Sequence, residues 1–162
     1  MGIVRKELMH KHWFATAALA AAVSTSAMLL MTGSYNPFST SAGKAALIAQ
    51  GQALYGVRRA SCHGKNLEGQ PNWRALLPNG RMPAPPHDKT GHTWHHADAA
   101  LTGVTKLGLK PFAGDSYESD MPAFGTILSD EEIEAILVYI KSTWPEREQA
   151  YQRQITQQAN QQ

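Results

Sequence analysis

The sequence predicts an all-α fold of short helices and long loops, preceded by an apolar helix long enough to span a membrane. Three observations carry this. Residues 13–33 hold no charged side chain and are rich in Ala, Leu, Val and Met. Two later segments repeat apolar residues at helical spacing, while no useful stretch alternates in the manner of a strand. Between them the chain is interrupted by turn-forming sequences, notably Pro78-Asn79-Gly80 and Pro83-Ala84-Pro85-Pro86.

The apolar run from Trp13 to Gly33 is 21 residues long, and roughly 20 suffice to cross a bilayer core as a helix. It shows no polar face, which argues against a helix buried in a soluble core. Arg5, Lys6 and Lys11 precede it against one acid, Glu7, the flank expected on the cytoplasmic side. The run continues through Met28-Leu29-Leu30-Met31, past the small residues Thr25-Ser26-Ala27 that would suit a signal peptidase. A second small-residue site, Thr40-Ser41-Ala42, lies well past the end of the apolar core, so an uncleaved signal anchor is favoured.

Beyond the basic flank, cationic and anionic side chains balance, with 12 of each from Ser34 onward. No basic run with interleaved aromatics occurs, so nothing suggests a nucleic-acid surface. Nor is there a Ser/His/Asp set, a carboxylate pair or a phosphate-binding loop, and no enzymatic activity is expected. The single cysteine, Cys62, forms no internal disulfide in an exported domain that would permit one.

The linker 34–42 is polar and interrupted by Pro37. From Gly43 to Gly56, Leu47, Gly51, Leu54 and Tyr55 share one side of a helix. Trp94 to Leu107 reads as a single helix with Ala97, Leu101 and Val104 inward. Ser129 and Glu132 form a capping box, after which Ile133, Ile136, Leu137 and Ile140 mark an apolar stripe that Pro145 stops. The last stretch, Glu146 to Gln162, contains seven glutamines and reads as a solvated or frayed polar tail. A domain with so few apolar helices has a thin core, and a bound cofactor is one way to make up the buried area.

Cys62-His63 sits where a haem-attachment run, C-x-x-C-H, would end, but Arg59 stands where the first thiol would be. The surroundings make the case. Gly51-Gln52-Ala53-Leu54-Tyr55, Ala60-Ser61-Cys62-His63-Gly64 and Asn66-Leu67-Glu68-Gly69 come first. Met121-Pro122-Ala123-Phe124, Leu128-Ser129-Asp130-Glu131 and a helix with Tyr139, Ile140 and Trp144 follow. In these residues the chain resembles a class I c-type cytochrome, a small bacterial mono-haem cytochrome c. The resemblance covers roughly 43–145.

That resemblance implies a cytochrome c-like domain around one haem c at 43–145, preceded by the cytoplasmic flank (1–12), the membrane anchor (13–33) and the linker (34–42) and followed by the tail (146–162). It implies that Cys62 binds a haem vinyl, that His63 is the proximal iron ligand and that Met121 is the distal one. It also implies that the N-terminal helix crosses the C-terminal helix, with Gly51 against an aromatic such as Tyr139. Imidazole and thioether suit iron in both oxidation states. Such iron carries single electrons, here between larger redox complexes, with the domain in the periplasm and the anchor crossing a bacterial inner membrane once.

Met82 also precedes a proline, but it lies in the Pro-rich loop and is read as packing; Met121 directly precedes the capped helix. With Arg59 in place of a thiol, only one thioether can form. The alternative is a degenerate cytochrome-fold protein of the periplasm that binds a metal or a partner without haem. His87, His92, His95 and His96 are the candidates for a second metal. Trp73, Arg74 and Trp94 are candidates for contacts with the haem propionates, since indole N–H and guanidinium both donate. Arg58, Arg59 and Lys65 are read either as a positive rim that steers an acidic partner or as a solvated turn.

Overall fold

The computed structural model describes residues 40–162. The flank 1–12, the anchor 13–33 and residues 34–39 of the linker lie outside the described residues. No helix among the described residues is long and apolar enough to cross a membrane.

The described residues form six α-helices and one 3-10 turn, with no strand. Helix α1 spans Ser41–Arg58 and α2 Ala60–His63; the 3-10 turn is Thr93–His95. Then follow α3 (Asp98–Leu107), α4 (Lys110–Ala113), α5 (Asp130–Ser142) and α6 (Glu146–Ala159).

Thr40 starts α1, its side chain accepting from the Gly43 N–H at 3.0 Å. Gly51 and Tyr55 are the buried positions of α1, one helical turn apart. Gly51 lies on α5: a Cβ there would overlap the Ala135 carbonyl and sit 2.9 Å from the Tyr139 Cβ. The Tyr55 ring then meets Tyr139 with centroids 5.5 Å apart. Absence of a side chain at Gly51 is thus what lets the two backbones touch.

The capping box of α5 is complete. Ser129 Oγ accepts from Glu132 N–H at 3.2 Å, and Glu132 Oε2 accepts from Ser129 N–H at 2.9 Å. All four stripe residues, Ile133, Ile136, Leu137 and Ile140, are buried. With Tyr55, Leu67, Phe124, Leu128 and Trp144 they make the core.

Two expectations change. The helix read from Trp94 to Leu107 is broken: His96 is extended, and α3 begins only at Asp98. The stretch Glu146 to Gln162 is largely exposed, as a solvated tail would be, but it is not frayed: it forms α6, which supplies the missing cap of α3. Ala97 precedes α3 and has no side-chain oxygen, so Thr156 Oγ1 accepts from Asp98 N–H at 3.1 Å instead. Gln152, buried among polar groups, places its amide nitrogen 2.6 Å from Asp98 Oδ1 and 3.2 Å from the His96 carbonyl. Lys141 of α5 pairs with the same Asp98 at 2.8 Å.

Candidate functional site

The helical backbone kinks at Arg59, where α1 stops, and resumes as the single turn α2 that carries Cys62 and His63. Gly64, at φ +82°, ends this turn. The Tyr55 hydroxyl donates to the Gly64 carbonyl at 2.8 Å, so the core helix holds the end of the turn directly. Cys62 is exposed, whereas His63 is buried.

His63 Nδ1 lies 2.8 Å from the Pro85 carbonyl oxygen. A carbonyl only accepts, so Nδ1 carries the hydrogen and Nε2 keeps its lone pair. Burial, helped by the nearby Arg59 charge, pushes the imidazole down to about 4, against the opposing pull of the Pro85 hydrogen bond. The ring is therefore neutral near pH 7 and ready to ligate a metal through Nε2. Gly69 makes this contact possible: it sits at φ +71°, and a Cβ there would come within 2.5 Å of the Pro86 nitrogen. Two further bonds fix the loop, Gly69 N–H to the His63 carbonyl and His87 N–H to the Leu67 carbonyl, each 2.8 Å.

His87 lies behind His63, the rings stacked with centroids 3.9 Å apart and planes 22° from parallel. Its Nε2 is 2.9 Å from Arg59 Nη2, and its Nδ1 is 2.9 Å from Thr93 Oγ1. A guanidinium can only donate, so Nε2 accepts and the His87 proton is on Nδ1, toward Thr93. Burial holds this imidazole well below its usual range. Trp144 completes the seat by donating its indole N–H to the His87 carbonyl at 2.7 Å.

Arg59 corrects the sequence reading, which placed it in an exposed basic rim or turn. Only 3% of it is accessible; Arg58 and Lys65 remain exposed. Its guanidinium carbon stands 5.5 Å from the centroid of the Phe124 ring. Burial lowers it to about 10, so it stays cationic at neutral pH. Its Nε and Nη1 are buried without a hydrogen-bond partner.

Met121 is half-buried and packs against the core, a contact that Met82 does not make. Ser119 Oγ accepts the Met121 N–H at 3.0 Å. Just upstream, Arg81 pairs with Asp120 and, at 2.8 Å, with Glu118. This ties the Met82 loop to the Met121 loop. Downstream, Phe124 and Gly125 N–H groups bond to the Thr105 and Lys106 carbonyls of α3 at 3.0 and 2.9 Å.

The remaining sequence candidates fall into two aromatic stacks. Trp73 lies on His92 with centroids 5.5 Å apart, and the Arg74 guanidinium covers Trp73 at 4.1 Å. Trp94 stacks on His95 at 3.7 Å and meets Tyr151 of α6 edge-on; its indole N–H reaches the Lys89 carbonyl at 3.4 Å. The histidines are dispersed: His87 is interior, His95 belongs to Trp94, and only His92 and His96 adjoin. Among the described residues no three His, Cys, Asp or Glu side chains converge on a metal position. Sequence reasoning missed the Pro85 carbonyl and the inward turn of Arg59. Backbone acceptors leave no residue-type signal, and an arginine in a basic turn reads as solvated.

These residues fit a haem. A neutral imidazole offers Nε2, a thiol stands one residue before it, and a thioether lies in a loop against the core. Residues 48–144 match the family model Cytochrome c. No curated protein and no solved structure matches the chain. A match over more than half of the chain, on an all-helical domain bearing that donor set, makes this protein a member of the cytochrome c family, a covalent binder of haem c that carries electrons and is not an enzyme.

Proposed function

We propose that the chain carries single electrons through one haem c, held by a single thioether to Cys62 and ligated by His63 Nε2 and Met121 Sδ. When bound, the haem supplies the one-electron Fe(III)/Fe(II) couple. The observation that carries the reading is the His63 Nδ1–Pro85 bond of 2.8 Å. It fixes the tautomer and the ring plane, and a metal-ligating histidine is commonly held through its other nitrogen in this way.

The protein residues then have separate tasks. Cys62, a free and exposed thiol, would hold the haem through a thioether to one vinyl, its hydrogen going to the neighbouring vinyl carbon. Arg59 offers no sulfur, so the other vinyl stays intact. Leu67, Phe124 and Leu128 belong to the buried apolar core, and apolar surroundings would favour haem retention. Trp73 and Arg74 are assigned to the propionates, with Arg74 supplying the charge, while the Trp94 indole N–H is engaged by the Lys89 carbonyl. The carrier works between larger redox complexes, on the periplasmic side of a bacterial inner membrane, tethered by residues 13–33.

Two measurements test this. Met121→Ala removes the weak near-infrared band of sulfur–iron bonding and lowers the potential, while Met82→Ala retains both; the reverse pattern moves the ligand to Met82. The protein stays with membranes through a carbonate wash, and its release by that wash would refute the anchor.

A further inference from the structure

We propose that Arg59, beyond lacking a thiol, is a redox-tuning and positioning residue: a fixed interior cation behind His63 that favours the reduced iron and, through His87, sets the plane of the His63 ring. The proposal rests on His63 being an iron ligand. It starts from a buried cation whose contacts are one histidine nitrogen and the face of Phe124. Of its guanidinium nitrogens only Nη2 has an acceptor, His87 Nε2 at 2.9 Å, while Nε and Nη1 are buried and unpaired. Among the described residues no carboxylate forms an ion pair with it. Buried unpaired donors and an unneutralised cation each destabilise a fold, so their presence points to a task.

Geometry says what the task is. The Arg59 carbonyl accepts the His63 N–H at 2.9 Å, placing the two residues one helical turn apart. The guanidinium holds His87, and the His87 ring lies flat on His63 at 3.9 Å between centroids. Since Thr93 holds the other nitrogen of His87, that ring cannot turn without losing a bond. It therefore acts as a fixed plate under the His63 ring.

The charge acts in the same place. Oxidation adds one positive charge at the iron, and a cation in a low-dielectric interior opposes it. The sign follows: Arg59 stabilises the ferrous form and raises the potential. At an effective dielectric of about 20, a unit charge roughly 12 Å from the iron would shift the equilibrium about tenfold, which is about 59 mV for one electron. Bulk salt screens a buried charge little, so the effect persists at high ionic strength.

The test is the midpoint potential of the full-length, haem-loaded protein, with its absorption spectrum, for wild type, Arg59→Lys, Arg59→Gln and Arg59→Met. The neutral variants shift the ratio toward ferric about tenfold, and Arg59→Lys stays closer to wild type. Arg59→Met also broadens the low-spin ferric resonance signal, because His87 loses its anchor. Equal potentials for Arg59→Lys and Arg59→Gln overturn the charge assignment, and that comparison serves even where Arg59→Met does not retain haem. Failure of the underlying reading looks different: His63→Gly would keep a low-spin spectrum without added imidazole.

Discussion

The α1–α5 crossing and the loop that closes on His63 hold their residues by different means. At the crossing, Gly51 meets the Ala135 backbone and four stripe residues of α5 are buried. The contact is apolar and repetitive. Around His63 the order comes from single hydrogen bonds between segments far apart in sequence: Pro85 to His63, Trp144 to His87, Arg59 to His87. That region contains the two side-chain atoms that, among the described residues, are buried without partners. One region is where stability is concentrated; the other holds a ring in a chosen tautomer and plane, and tolerates unpaired polar groups to do so.

Substitutions at two glycines separate these roles. Gly51→Val drives a branched side chain into the Ala135 carbonyl, which is backbone and cannot rotate away. It should lower unfolding stability by about 3 kcal/mol or more, and haem-loaded and haem-free protein should suffer alike. An unchanged denaturation midpoint would break the comparison at its first half. Gly69→Ala places a Cβ against Pro86 at φ +71°, with an expected cost of about 1–3 kcal/mol. Its larger effect should be local. Displacement of Pro85 weakens the His63 Nδ1 bond, so the haem-loaded protein should lose ligand-field strength and hold haem less well. A Gly69→Ala protein with wild-type spectrum and haem retention would show that the loop does not orient His63.

Legibility followed the same division. The stripe of α5, its capping box and the Gly51 side of α1 are periodic or local, and each was readable from residue spacing. Three features were not. The break at His96 depends on Thr156 and Gln152 reaching across from α6 to cap a helix that begins after Ala97. That in turn orders α6, whose glutamines looked only polar; one of them, Gln152, is buried by hydrogen bonding and not by hydrophobicity. The inward turn of Arg59 depends on His87, 28 positions away. At the site, Cys62-His63 was visible as a motif. The neutral tautomer of His63 was not, because the deciding acceptor is a proline carbonyl.

The central claim is that haem is held through Cys62 alone, beside His63. The pyridine haemochrome of acid-acetone-washed protein tests it most directly. Wild-type protein should retain a covalent haem whose α band lies at longer wavelength than that of a two-thioether cytochrome, one vinyl remaining conjugated. In Cys62→Ala all haem should pass into the acetone, since the chain has no other thiol. A wild-type spectrum matching two saturated vinyls, or haem that stays with the Cys62→Ala protein, would contradict it.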